Sequence, residues 1–259
     1  MSQSSPDLFA LTGKRVLVIG GSRGIGRAIA LRFARAGAQV IATYVRGEEA
    51  AQGLAAEAST DGLSLKVVRA DASSEKARQQ LVQTVSEQFT DLSALVFVAA
   101  TGVHRPLEQL SERYFDFTYA LNVKGLLALV QAFAGKIPAG GSIVALSSEG
   151  AVHAIPHYAL VGSSKAALES LCRHMAAELA PRGIRVNVLS PGTVQTDAWK
   201  SLPDAERRLA EAAARTPRGS LVSLEEVANA AQFLVSDASS GLSGHTLVVD
   251  AGARIVGAG

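Results

Sequence analysis

Apolar residues recur along this chain in two spacings that alternate from end to end. Short β-branched runs at residues 15–19, 39–44, 64–68, 94–98, 142–146, 185–189 and 246–249 predict strands. Between them, apolar positions return every three or four residues over 24–36, 74–89, 111–134, 157–180 and 224–235, the period of amphipathic helices. Strands joined through helices require crossover connections, and these place a parallel sheet between two helical layers. The expected fold is therefore α/β, a doubly wound sheet of seven parallel strands in a single domain spanning residues 1–259. Residues 192–220 form the one long stretch without a strand pattern and are the candidate substrate lid.

Composition narrows the partners. The chain has 25 basic and 23 acidic residues, a formal charge of +2, so neither nucleic acid nor a membrane surface is the expected partner and small molecules are favoured. No apolar run is expected to reach the length of a spanning helix, and the N-terminal Met-Ser-Gln-Ser-Ser-Pro-Asp carries no export pattern. The single cysteine, Cys172, lies in a helical stripe with Leu168, Leu171, Met175 and Leu179, which excludes a disulfide framework and suits a buried thiol in a reducing cytoplasm.

The first predicted strand runs into Gly20-Gly21-Ser22-Arg23-Gly24-Ile25-Gly26 and then a helix, the setting of a dinucleotide fingerprint in a Rossmann-like fold. Glycines there let the backbone turn tightly and approach a pyrophosphate held at the helix N-terminus. An NAD site places an acid about 20 residues further on, but this chain reads Thr43-Tyr44-Val45-Arg46. Arg23 and Arg46 suit a 2′-phosphate, because a guanidinium meets phosphate oxygens in pairs, and NADPH is the expected cofactor. Asp71, directly after the third strand, stands either near the adenine edge or as a helix N-cap.

These residues, with several downstream, resemble the short-chain dehydrogenase/reductase family over nearly the whole chain. Gly20, Gly24 and Gly26 match its glycine motif, Asn122 its helix asparagine, Ser148 its catalytic serine, Lys165 its lysine, and Ser190-Pro191-Gly192 with Thr196 its loop after the sixth strand. The resemblance implies cofactor contacts from Ser22, Ile25, Ala72, Ala99, Ala100, Pro191, Gly192, Val194, Thr196 and Lys165 as well. Two departures stand out. The loop after the fourth strand reads Val98-Ala99-Ala100-Thr101-Gly102 where the family has a pair of asparagines before alanine and glycine. The tyrosine that normally sits four residues before the lysine is Val161, and a tyrosine occurs instead at Tyr158. Tyr-x6-Lys resembles the enoyl-acyl-carrier-protein reductases, and Ser148 with the Gly102-Val103-His104-Arg105-Pro106 loop resembles their NADPH-dependent type III subgroup.

A displaced phenol suits a carbon–carbon double bond. In a 2-enoyl thioester the hydride lands on the β-carbon while negative charge develops on the thioester oxygen, so the hydroxyl that meets this charge must stand away from the hydride's target. Three residues along a helix is about 4.5 Å. The seven-residue spacing predicts Tyr158 and Lys165 on one helix face, with Pro156 in the first turn. On this reading Tyr158 stabilises the enolate, Lys165 binds the nicotinamide ribose, Ser148 is a second donor, and Asn122 holds helix backbone and a water relay. His104, His153 and His157 near the cleft lack companions at ligand spacing, so no metal is expected. The expected substrate is an acyl thioester on coenzyme A or an acyl carrier protein, which the basic segment Lys200, Arg207, Arg208, Arg215 and Arg218 would meet. Two alternatives stay open: a ketoreductase or alcohol dehydrogenase acting on a 3-ketoacyl or other carbonyl substrate, and a regulator that holds NADPH without turnover. Relatives pair their long apolar helices, so a homodimer or homotetramer is expected.

Overall fold

In the computed structural model, which describes residues 7–196 and 204–255, the seven expected strands form one parallel sheet. They are β1 (Arg15–Ile19), β2 (Gln39–Tyr44), β3 (Leu65–Arg69), β4 (Ala94–Phe97), β5 (Ser142–Leu146), β6 (Arg185–Pro191) and β7 (Thr246–Val249), in the order β3-β2-β1-β4-β5-β6-β7. The order reverses between β1 and β4, which opens a crevice at the carboxyl ends of those strands.

Alternation along the strands feeds two cores. Val16 and Val18 of β1 face a layer made by α1 (Gly24–Arg35) and α8 (Leu224–Val235), with Ile29, Phe33, Val227 and Leu234 buried. Leu17 and Ile19 face the opposite layer, made by α3 (Glu75–Gln88), α5 (Leu126–Phe133) and α6 (Ala159–Leu179), where Leu81, Leu126, Phe133 and Leu168 are buried. Cys172 lies in this second core, and burial pushes its thiol up to about 12, which makes it a packing residue.

Several expectations need adjustment. The alanine-rich α2 (Glu48–Thr60) was not among the expected helices, and part of the lid is helical, as α7 (Ala205–Ala214). The expected helix 111–134 divides into α4 (Glu112–Tyr119), a wider π-helical turn Ala120–Gly125, and α5. Contrary to expectation, the continuous stretch Glu112–Lys136 is long and apolar enough to cross a bilayer by length and composition alone. In this fold its Leu126, Leu129, Val130 and Phe133 pack into the core beneath the sheet. Lid residues 197–203, Lys200 included, lie outside the described residues.

Candidate active site

The predicted site residues collect along the carboxyl edge of the sheet. Gly20 follows β1, Arg46 lies just past β2, Asp71 and Ala72 past β3, Ala99 and Ala100 past β4, Ser148 past β5, and Gly192, Val194 and Thr196 past Pro191 at the end of β6.

At the cofactor end the backbone sets the shape. Gly20 has φ 84°, and a Cβ there would stand 2.8 Å from the Ala99 amide nitrogen, so the turns after β1 and β4 meet backbone to backbone. A Cβ on Gly26 would overlap the Gly20 carbonyl oxygen, which lets α1 begin directly against the turn. Thr43 braces that turn from β2: its Oγ1 accepts from the Gly20 amide (3.1 Å) and its carbonyl from the Gly21 amide (2.8 Å). The first turn of α1 holds no acidic side chain, and its cap residue Arg23 makes no side-chain cap, so the positive end of the helix is open to an anion. Arg23 and Arg46 are both exposed, and among the described residues neither guanidinium has a partner. This cradle fits a dinucleotide. Asp71 is not a helix N-cap: its Oδ1 accepts from Ser73 in a local turn, while Ser74 caps α3 by accepting from the Ala77 amide.

The far side of the crevice closes with a segment that sequence reading missed. A Cβ on Gly192 would stand 2.9 Å from the Asp250 Cβ, so the turn after β7 packs directly on the loop after β6. Arg254 Nη2 donates to Ser190 Oγ (2.6 Å). Val194 pairs with Val222 in an isolated bridge, and the Thr196 methyl lies 3.5 Å from a Cβ built on Gly24, which joins the base of the lid to the glycine turn.

The substrate end differs from expectation at its most informative residue. Helix α6 starts at Ala159, not at His157, and Tyr158 is its N-cap, with φ −115° and ψ 10°. The first helical bond is donated by the Gly162 amide to the Tyr158 carbonyl (2.7 Å). Pro156 sits in a turn before the helix, and His157 takes the left-handed conformation at φ 62°, which stops the helix from extending backwards. Tyr158 and Lys165 therefore do not share a helix face by periodicity. The half-buried phenol ring lies against Gly150, where a Cβ would come within 2.5 and 2.6 Å of ring carbons, and makes an edge contact with His104 at 5.1 Å between centroids.

No hydroxyl occupies the position one turn before Lys165. Val161 is 5% exposed, and its Cγ2 fills the space a Cβ on Gly102 would need, so the loop after β4 rests on it. Lys165 is 3% exposed, with Nζ donating to the Leu146 carbonyl (2.6 Å), and burial pushes its ammonium down to about 8. One turn along α6, the buried Glu169 accepts from Ser147 Oγ. Ser148 Oγ accepts from the Gly150 amide (3.1 Å), an ST-type turn that fixes the residue beneath the phenol.

Asn122, fully buried in the π turn, has a more specific role than the one expected. Its Oδ1 accepts from the Thr101 amide (2.9 Å) while Nδ2 donates to the Thr101 carbonyl (2.8 Å) and to Ser164 Oγ (2.9 Å). It locks the loop after β4 to α6.

Partial burial, and then the charge of Arg208 on lid helix α7, lower the affinity of the His104 imidazole for a proton. The expected basic docking patch is thinner than its sequence: Arg207 pairs with Asp204 and Glu211, and Arg218 with Glu226. Among the described residues no group of His, Cys, Asp and Glu side chains is arranged to hold a metal.

Residues 19–254 match the family model described as enoyl-(acyl carrier protein) reductase. The chain belongs to the short-chain dehydrogenase/reductase family. Among curated relatives of this family, 1-cyclohexenylcarbonyl-CoA reductase of Streptomyces collinus is 35% identical over 93% of this chain and 86% of its own length. L-xylulose reductase of Caenorhabditis elegans is 34% identical over 95% of this chain and 98% of its own. The crystal structure of a dehydrogenase/reductase from Sinorhizobium meliloti 1021 superposes with a TM-score of 0.89 at 33% identity, covering 95% of this chain and 97% of that one. The chain is thus a short-chain oxidoreductase with a nicotinamide-cofactor fold.

Proposed function

We propose that this reductase uses NADPH to reduce the 2,3 double bond of an enoyl thioester. The observation that carries the reading is a paired change at the start of α6: the phenol stands at the N-cap, Tyr158, and the ordinary position is filled by Val161, packed under Gly102. The Streptomyces collinus relative supports it, since its name describes a cyclohexenyl carbonyl thioester of coenzyme A.

Bound NADPH would supply the hydride for the β-carbon of the thioester. Tyr158 would donate a hydrogen bond to the thioester oxygen as charge gathers there. Lys165, whose Nζ donates to the Leu146 carbonyl, would hold the ribose hydroxyls. Asn122 keeps Thr101 and its loop fixed on α6. The α-carbon takes its proton from solvent. Arg23 and Arg46, exposed and without a partner among the described residues, take the 2′-phosphate and select NADPH over NADH.

The test is NADPH oxidation with a matched pair, trans-2-butenoyl-CoA and 3-oxobutanoyl-CoA. Preference for the butenoyl thioester is expected, and preference for the keto thioester would return the phenol to carbonyl chemistry. The protein is also expected to self-associate in a cytoplasmic setting, since Phe115, Phe117 and Leu127 on α4 and α5 are exposed at 45%, 50% and 36%. A monomeric mass at micromolar concentration would contradict this.

A further inference from the structure

The phenol of Tyr158 sits outside the helix that the seven-residue spacing predicts, so helix geometry does not aim it. Something else must. Its backbone is at an N-cap, where φ and ψ are not fixed by helical bonds, and no described side chain hydrogen-bonds its hydroxyl. Two contacts fix the ring instead. On one edge, ring carbons lie 2.5 and 2.6 Å from where a Cβ on Gly150 would be, so only glycine admits the ring at that depth. A Cβ on Gly162 would also touch it, at 3.5 Å. His104 closes the arrangement from the loop after β4, its imidazole at 68° to the phenol.

We infer that His104 and Gly150 form a clamp that aims Tyr158, with both acting as positioning residues for its hydroxyl. The inference rests on the enoyl-thioester reading and names what makes a displaced tyrosine work. Each part of the clamp is anchored independently. Ser148 Oγ holds the Gly150 amide, and the loop bearing His104 is tied to α6 through Thr101 and Asn122 and rests on Val161. The valine thus has a positive role: its small side chain lets the loop come down far enough for His104 to reach the phenol. Partial burial, and then the charge of Arg208 on α7, lower the imidazole's affinity for a proton and so favour the neutral ring, which suits packing on an aromatic edge.

The test is a double-mutant cycle on the full chain, with NADPH and trans-2-butenoyl-CoA as probe. His104→Ala and Gly150→Ala should each lower kcat by about 10- to 100-fold, the scale of a donor misplaced by an ångström, with NADPH affinity unchanged. In a Tyr158→Phe background neither should lower the residual rate further, because there is no hydroxyl left to aim. His104→Phe, which restores an aromatic edge without an N–H, should recover most of the loss. An undiminished cost in the Tyr158→Phe background would overturn the clamp, as would a His104→Phe enzyme as slow as His104→Ala. Should Gly150→Ala fail to fold, the His104 pair decides the matter alone. A wild-type rate in His104→Ala beside a dead Tyr158→Phe sinks only the clamp, whereas full turnover by Tyr158→Phe sinks the enoyl reading itself.

Discussion

The two ends of the crevice are built from different materials. At the cofactor end the shape is made of backbone: Gly20 meets Ala99, and Gly26 meets the Gly20 carbonyl. At the substrate end it is made of side chains that meet only after folding, with Tyr158 against Gly150 and His104, and Val161 beneath Gly102. A backbone cradle tolerates almost any neighbour but no added carbon. A side-chain clamp tolerates conservative change but depends on every partner. On the proposed reading, the first binds something common to many reactions, and the second decides which reaction occurs.

The largest expected effect breaks the substrate end alone. Tyr158→Phe keeps the ring in its clamp and removes one hydroxyl, so turnover of an enoyl thioester should fall by about 10²–10³, the scale of losing one oxyanion donor. NADPH affinity, measured by fluorescence titration, should not change. A parallel loss of cofactor binding would mean that the two ends are not separable.

The converse experiment breaks the cofactor end. Gly26→Ala drives a methyl into the Gly20 carbonyl, backbone that cannot rotate away, and overpacking of this kind costs about 1–3 kcal/mol. Cofactor affinity and thermal stability should fall together, because the same atoms shape both. Val161→Tyr offers the matching test across the crevice: a large ring at a position already in contact with Gly102 must lift the loop after β4, with a stability loss of similar size and a disturbed clamp.

How far each end was legible follows from this difference. The strand periods and the glycine turn stand in the sequence because backbone needs and core faces leave residue-type signatures, whereas Asn122 and Lys165 were legible only through the family resemblance. The start of α6 does not. Pro156 reads as the first turn of a helix, yet His157 adopts a left-handed conformation and delays the helix to Ala159, a tertiary choice that no period encodes. The π turn around Asn122 is equally silent, since the apolar spacing over 111–134 runs through it without a break. Asp250 and Arg254 were missed because their role exists only once β7 lies beside β6. Gly150 carried a weak signal, a glycine two residues after the serine, and only the phenol resting on it explains it.

Within the cofactor end, Arg23→Ala should sharpen the picture by touching charge without touching shape. It should weaken NADPH by about 1–3 kcal/mol of charge-assisted hydrogen bonding and leave NADH unaffected. Equal wild-type affinity for the two cofactors would defeat that assignment.

The smallest effect lies where the two ends meet, at Lys165 of α6, which the proposed mechanism assigns to the nicotinamide ribose. Burial lowers its ammonium to about 8, so in the free enzyme the charged form is present below that pH and lost above it. The kcat/KM for an enoyl thioester should therefore fall as pH rises through about 8, by about tenfold at one unit beyond. Stability should move the other way. Between about 8 and the ordinary lysine value of 10.5 the unfolded chain binds a proton that the folded chain has released, so wild type should gain stability relative to Lys165→Met over that window. Bound NADPH offers the ammonium ribose hydroxyls, which should hold the proton more tightly and move the fall in kcat to higher pH than the fall in kcat/KM. Coincident limbs in the two profiles would place the titrating group elsewhere than in contact with the cofactor.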